Sequence, residues 1–477
     1  MATAKILELL RDYESRNVLF TEKDGSWPIV WDRAKGVFVW DADGKKYLDL
    51  TAAFGVAAAG HANSNVVKAG RQQMGRLLHA MGDVHPHALK AALARELSRL
   101  TFERWTGDAP SNRAVRALTN LPRRDGTQVW KFAIQQTWKP ALQRERVQAK
   151  TIFCNSGFEA VEAALKTAML ATGKREVIAF SGSYHGLGYG ALNVTHRNFF
   201  RRPFHQQLRQ FGKFVPFPQS HQNGSAIKRG PDLEKQITQI LRRNRTGAIL
   251  VEPVQARGGI VVPPQEFLPM LRALCDRFGA LLIADEVYTG FGRTGKWFAC
   301  EHSAVVPDIV CLGKALTGGF PLSACVGRAD IMGAAWPPSR GEAIHTSTFL
   351  GHPVGCAMAL AQIKEIQRLD LCTRSAKLGN FLLAELDPIR NEKLKIKTSA
   401  RGLGLMAGLE LQLPDGSPAS AETFDVIKTM LKRGYILLPE GEHGNVISFT
   451  PPLTIGKNDL TRVVRALRKV MAERHGC

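Results

Sequence analysis

Between Thr151 and Val326 short, unbroken apolar runs alternate with amphipathic stretches. The runs are TIFCN, VIAF, AILVE, LLIAD, IVCL and LSACV, in that order. Runs of this length without polar alternation read as strands buried on both faces, as in a parallel sheet covered by helices. The intervening stretches carry the helical period: Val161, Ala164, Leu165 and Ala168 make one stripe in Glu159 to Ala171, and Phe267 to Phe278 forms a second helix between AILVE and LLIAD. The alternation predicts an α/β fold with a doubly wound, mostly parallel sheet.

The flanks have a different rhythm. MATAKILELLRDYESRN has the spacing of a short amphipathic helix, and Asp43-Gly44 is a turn signal between two β-rich stretches, Gly36 to Trp40 and Lys45 to Leu50. Alanines and leucines from Val84 to Leu100 predict a helix. Beyond Gly341 long helices alternate with short strands such as GLMAGLEL and VISFTP, and the last helix, Asn458 to Arg474, aligns Leu460, Val463, Val464, Leu467, Val470 and Met471 on one side. The expected organisation is a large domain of residues 61–335 and a smaller α+β domain assembled from both chain ends, 1–60 and 336–477. Residues from about 103 to 150 are rich in Arg, Gln, Asn and Trp with weak periodicity, and read as a basic surface insertion.

Composition narrows the class. A chain of 477 residues, 44% apolar and 22% charged, is long enough for two to three globular domains. It has no apolar span of membrane length and no charged-then-apolar leader pattern, so the expected location is the cytoplasm, with no membrane partner. The eight cysteines stand singly, without C-x-x-C spacing and several within apolar runs, which predicts buried free thiols and no metal site. A formal charge of +22 raises the question of nucleic acid. The basic residues are spread along the chain, with local excesses at Ser111 to Lys150 and Arg197 to Arg245, and no nucleic-acid-binding module accompanies them. The expectation is a basic surface that favours anionic small molecules, with no specific nucleic-acid partner.

The candidate chemistry centres on Leu281 to Gly319. One apolar run ends in Asp285, and a second ends at Gly313 with Lys314 directly after it. Ligands of parallel sheets collect beyond the carboxyl ends of the strands, so an acid and an amine meet in one crevice as a buried ion pair or as a catalytic pair. Spacing alone leaves both open.

Six motifs in order, NSGFEAVEAALK, SGSYHG, VEPVQARGG, ADEVYTGFGRTG, CLGKALTGGFPLSA and HTSTFLGHPVGCAMA, resemble the class III pyridoxal-phosphate aminotransferases such as the ornithine, acetylornithine and 4-aminobutyrate enzymes. The resemblance implies fold-type I architecture, a homodimer, and pyridoxal 5'-phosphate as cofactor. Lys314 would hold the aldehyde cofactor as a Schiff base and shuttle a proton, and Asp285 would keep the ring nitrogen protonated so that the ring acts as an electron sink. Val287 and Tyr184 would pack the two faces of the ring, with His185 beside them. Ser156, Gly157 and Phe158 would form the phosphate turn at a helix N-terminus, and Thr348 would reach the phosphate of the neighbouring subunit. Glu252 would order the site, and Gln255 would lie near the cofactor's hydroxyl. Arg401, in ARGLGLMAG, would hold the carboxylate of the substrate.

Three departures stand beside the matches. Arg257 occupies a position where many relatives acting on ω-amines have a glutamate, so it either adds a second carboxylate anchor or turns outward. Tyr288 stands where glutamine is common, and GHANSN lacks the usual histidine-proline. The expected partners are an amino acid or ω-amine donor and a keto acid such as 2-oxoglutarate or pyruvate. A racemase or 2,1-aminomutase would use the same lysine and acid without consuming a keto acid, and a binding protein on this scaffold would not depend on Lys314.

Overall fold

The computed structural model describes residues 2–22, 25–107, 147–219, 233–392 and 394–476. Most of the basic 103–150 stretch, and residues 220–232 of the second basic excess, lie outside the described residues.

The N-terminal helix Ala2–Tyr13 leads to three antiparallel strands, β1 (Trp31–Lys35), β2 (Phe38–Asp41) and β3 (Lys46–Asp49). The turn predicted at Asp43-Gly44 joins β2 to β3. Asp41 Oδ1 accepts from the amides of Asp43 at 3.1 Å and Lys45 at 2.8 Å, while Gly44 takes φ +85°, a conformation costly for other residues.

The large sheet contains β4 (Ala149–Cys154), β5 (Glu176–Phe180), β6 (Gly212–Val215), β7 (Thr246–Val251), β8 (Leu281–Asp285), β9 (Ile309–Leu312) and β10 (Ser323–Arg328), in spatial order β4-β10-β9-β8-β7-β5-β6. All of them run parallel except β10, which is antiparallel to both β4 and β9. Alternate side chains of the central strands feed opposite layers. Ala248, Leu250 and Ile283 pack with Ala160, Val161 and Ala164 of helix Gly157–Thr172, whereas Ile249, Val251 and Leu282 pack with Leu271 and Cys275 of helix Phe267–Phe278. This two-faced burial is why the strands read as unbroken apolar runs.

Helix Ala88–Ser98 starts later than its periodicity suggests, because His87 caps it by accepting from the amide of Lys90 at 3.3 Å, and Pro86 precedes the cap. It runs on into a π-turn at Arg99–Glu103.

The C-terminal part supplies β11 (Lys397–Leu403), β12 (Met406–Gln412), β13 (Tyr435–Ile436), β14 (Leu438–Glu440) and β15 (Val446–Phe449). β13 pairs in parallel with β3, while β14 joins a separate sheet of order β11-β12-β15-β14, so both chain ends meet here. The last helix, Lys457–His475, buries all six residues of its predicted stripe. The cysteines of the described residues are free, and all but the half-buried Cys372 are buried. No helix among the described residues is long and apolar enough to cross a membrane.

Candidate active site

Five parallel strands, β4, β5, β7, β8 and β9, end on the same side of the sheet, and each ends in or is followed by a residue of the predicted site. The order is Ser156-Gly157, Tyr184-His185, Glu252, Asp285 and Lys314. β8 and β9 are neighbours with Asp285 opposite Cys311, which places Lys314 just beyond Asp285 on the adjacent strand. Lys314 has φ +43°, outside the usual range of a non-glycine residue, and opens a short 3-10 turn, Lys314–Leu316. Its Nζ lies 4.7 Å from the centre of the Tyr288 ring. Burial pushes its amine below the ordinary lysine range, and the carboxylates of Asp285, Glu252 and Glu440 oppose the shift.

Asp285 is held on two sides. Oδ2 pairs with His185 Nδ1 at 2.7 Å, and Oδ1 accepts from the amide of Val287 at 3.1 Å. The His185 backbone amide in turn donates to Thr195 Oγ1 at 2.9 Å. Glu252 is buried and accepts from the amides of Tyr184, at 2.9 Å, and Ala256, at 3.2 Å. Burial raises its carboxyl to about 7, and the neighbouring Asp285 reinforces the rise. Glu252 therefore shapes the β5 and β7 loops, in keeping with an ordering role. Gln255 points its amide at the carbonyl of Ser181, 2.9 Å away, and is packed between Gly182 and Gly258, where a Cβ would come within 2.7 and 2.6 Å of its Oε1.

The turn that the resemblance assigns to the phosphate opens helix Gly157–Thr172. Glu159 Oε2 accepts from the amides of Asn155, at 2.6 Å, and Ser156, at 3.1 Å, which caps the helix without using the Ser156 hydroxyl. Ser156 Oγ is buried and has no hydrogen-bond partner among the described residues. The amides of Gly157 and Phe158 head a 16-residue helix, where N–H groups lack intrahelical acceptors and the dipole favours an anion. Gly157 is required for space, since a Cβ there would sit 2.9 Å from Val287 Cγ1. Val287 also faces Gly313, so one side chain packs between the phosphate turn and the residue before Lys314. Phe158 is 37% exposed and lies directly under Gly186 and Gly188. A buried unpartnered hydroxyl, a helix N-terminus, an anchored acid and a buried amine fit the phosphate, ring nitrogen and aldehyde of pyridoxal phosphate.

Thr348 lies on an exposed loop with Thr346, whose hydroxyl donates to Asp83 at 2.6 Å, and Ser347, whose Oγ is 3.4 Å from Asn155 Nδ2. Arg401, on β11, is 9% exposed and fully engaged. Nε donates to the carbonyls of Gly259 at 3.0 Å and Ile260 at 3.1 Å, Nη2 donates to Gly259 at 2.7 Å, and Nη1 pairs with Glu410 at 2.6 Å. Arg257 turns inward: its guanidinium lies 4.9 Å over the Tyr184 ring, and its Nε is 3.8 Å from Glu440 Oε2.

Glu440 and Arg197 escape a reading by motif. Glu440 sits at the end of β14, buried, with its carboxyl raised to about 6 by desolvation. Arg197 donates to the carbonyls of Arg257, at 3.2 Å, and Gly441. The available signal was the charge of Glu440 within the apolar YILLPE stretch; its partner Arg257 is remote in sequence. Tyr288, noted as a departure, lies against Lys314, with its hydroxyl 3.2 Å from Thr450 Oγ1.

A parallel-sheet crevice with these five groups at its strand ends defines a fold-type I pyridoxal-phosphate enzyme. A family model described as aminotransferase class-III matches residues 20–110 and 127–471, and the chain belongs to that family. It is 33% identical to a putrescine aminotransferase of Pectobacterium atrosepticum over 99% of this chain and 89% of the relative. It is 32% identical to an acetylornithine aminotransferase of Methanosarcina mazei over 96% of this chain and 95% of the relative. Among solved structures, an amine transaminase from an uncultivated Pseudomonas species, in its pyridoxal-phosphate-bound form, superposes with a TM-score of 0.77 at 26% identity, over 97% of this chain and 98% of that one. The protein is a pyridoxal-phosphate-dependent transaminase. These relatives are named for amino transfer and none for isomerisation.

Proposed function

We propose that the protein transfers an amino group from an amino acid or a terminal amine to a keto acid such as 2-oxoglutarate or pyruvate, working as a homodimer in the cytoplasm. The observation that carries the site assignment is the convergence of Lys314 and the Asp285–His185 pair from adjacent parallel strands, beside the helix terminus at Gly157. When bound, pyridoxal phosphate supplies the aldehyde that receives the amino group and the ring that stabilises negative charge at the reacting carbon.

The chain's residues supply the rest. Lys314 Nζ, its basicity lowered by burial, is neutral in a larger fraction of molecules at neutral pH than an exposed lysine, and takes the proton from the donor's amine-bearing carbon. Asp285, fixed by His185 Nδ1 and the Val287 amide, holds a proton on the ring nitrogen. Val287 and Tyr184 confine the ring, while Ser156, Gly157 and Phe158 take the phosphate. Thr348 is assigned to the phosphate of the other subunit, which its exposed loop position permits. Arg401 and Arg257 are the guanidinium groups near the substrate end. The names of the relatives favour a donor with a terminal primary amine, and buried free thiols suit a reducing compartment.

The test is a pair of half-reactions followed by visible absorbance on the purified, cofactor-loaded protein. A panel of amines should bleach the band and a keto acid should restore it. Bleaching followed by recovery without any keto acid would instead support an isomerase.

A further inference from the structure

We propose that Arg257 is the guanidinium that takes the carboxylate of a substrate, and that Glu440 is the specificity-determining acid that holds Arg257 until the substrate arrives. This inference rests on the aminotransferase reading and names the substrate class for its site: amines and keto acids bearing a carboxylate, in preference to neutral amines and diamines.

The two arginines differ in what each already holds. Arg401 directs Nε, Nη1 and Nη2 to two backbone carbonyls and to Glu410, at 2.6–3.1 Å. Capturing a carboxylate would require breaking several charge-assisted bonds in a site that is 9% exposed. Arg257 makes no such bonds. Its side chain is 33% exposed, and its Nε stands 3.8 Å from Glu440 Oε2, beyond hydrogen-bond reach; both atoms lack a hydrogen-bond partner among the described residues. A guanidinium offers a planar fork suited to a carboxylate, and here it lies over the Tyr184 ring at 4.9 Å.

Glu440 is the counterweight. It is 4% exposed and sits near Arg257, Arg197 and Lys314, whose charges all act on it. A buried carboxylate left without a cation is costly. Arg197, tied to the carbonyls of Arg257 and Gly441, keeps a second cation beside Glu440 when Arg257 turns to a substrate. Arg257 and Arg197 face the buried Glu440, while the second acid acting on Arg197, Glu442, is exposed and screened by water, which leaves the pocket attractive to a carboxylate and repulsive to the far ammonium of a diamine.

The test uses 4-aminobutyrate and n-butylamine, which share an amine and a chain length and differ in the carboxylate. Rates of bleaching of the cofactor-loaded enzyme give kcat/KM for each donor, and calorimetric titration with butyrate reads carboxylate binding without turnover. Wild type should favour 4-aminobutyrate. Arg257→Gln should lower the 4-aminobutyrate to n-butylamine ratio by roughly 10- to 100-fold and weaken butyrate binding by a similar factor, as expected for a lost charged hydrogen-bond partner. Arg257→Lys, which keeps the charge without the fork, should fall between, and Glu440→Gln should tighten butyrate binding because the resting partner has lost its charge. A ratio and a butyrate affinity within about twofold of wild type in Arg257→Gln would overturn the proposal, as would their collapse in Arg401→Lys alone. Wild-type enzyme bleached by neither of these amines nor by any of the wider donor panel would count against the aminotransferase reading, while the butyrate titration would still decide between Arg257 and Arg401.

Discussion

Lys314 combines a left-handed backbone with a buried amine, two features each costing on the order of 1–3 kcal/mol that persist only where the surroundings enforce them. The enforcement is visible in Tyr288 against its Nζ and in three carboxylates that oppose the loss of its charge. Lys314→Ala should therefore fold but lose turnover by about 10³-fold or more, because an essential proton carrier is gone; single-turnover absorbance with an added amine donor checks this. Glu252 gives a pH prediction with a definite sign. Its folded carboxyl titrates near 7 against an ordinary 4.5, so the folded state holds the extra proton between those values. Stability from this group is present below pH 4.5 and is lost as pH rises through 7. Glu252→Gln, which never ionises, should thus gain relative to wild type as pH goes from 5 to 8, by on the order of 3 kcal/mol at about 1.4 kcal/mol per unit. Thermal unfolding of both proteins across that range checks it, and a constant difference in melting temperature would refute the assignment.

At the scale of elements, the site is a property of strand ends, and that is why much of it is legible in the sequence. β4, β5, β7, β8 and β9 are buried on both faces, so each appears as an apolar run, and the polar residue that terminates a run is the one delivered to the crevice. Asp285 and Lys314 were legible for this reason, whereas Glu252 was reached only through the motif that contains it. β6 was not, because Gly212–Val215 has mixed burial and no apolar run. The reversed direction of β10 was also invisible, since a central strand buried on both faces has the same composition either way. Glu440 was hidden for a different cause: its meaning depends on Arg257, brought close only when β14 packs beside the Gly258-Gly259 loop. The turn at Gly157 shows how tightly such junctions are fitted. Gly157→Ala places a Cβ 2.9 Å from Val287 Cγ1. It should cost roughly 1–3 kcal/mol through displacement of Val287, visible as a lower melting temperature and weaker cofactor binding in an absorbance titration, while Val287→Ala in the same chain should recover part of the lost melting temperature but not the cofactor binding, since it also removes packing from the ring.

At the scale of the whole molecule, the loop carrying Thr348 shares an exposed surface with His79, Met81 and Val84, and the Phe349 ring lies 5.3 Å from that of His79. Met81, Val84 and Phe349 are each more than half exposed, and Leu77, Leu78 and Ile344 add further apolar area nearby in the chain. A homodimer would cover this surface, and a two-fold axis would present each Thr348 loop to the other protomer's site. This makes the cross-subunit role of Thr348 testable by complementation. Thr348→Asp should cripple phosphate binding by like-charge repulsion, and Lys314→Ala should abolish turnover, so each homodimer is nearly inactive. If Thr348 serves the partner's site, unfolding and refolding an equal mixture creates heterodimers in which the subunit retaining Lys314 receives an unaltered Thr348 from the other. Half the dimers would then carry one intact site of two, and activity should return to roughly a quarter of wild type. If Thr348 instead serves its own chain, where Ser347 already lies 3.4 Å from Asn155, every site retains one defect and the mixture stays inactive. Native mass spectrometry of the same mixture, which resolves the heterodimer from the two homodimers by mass, confirms that exchange has occurred, so a silent assay cannot be blamed on its failure.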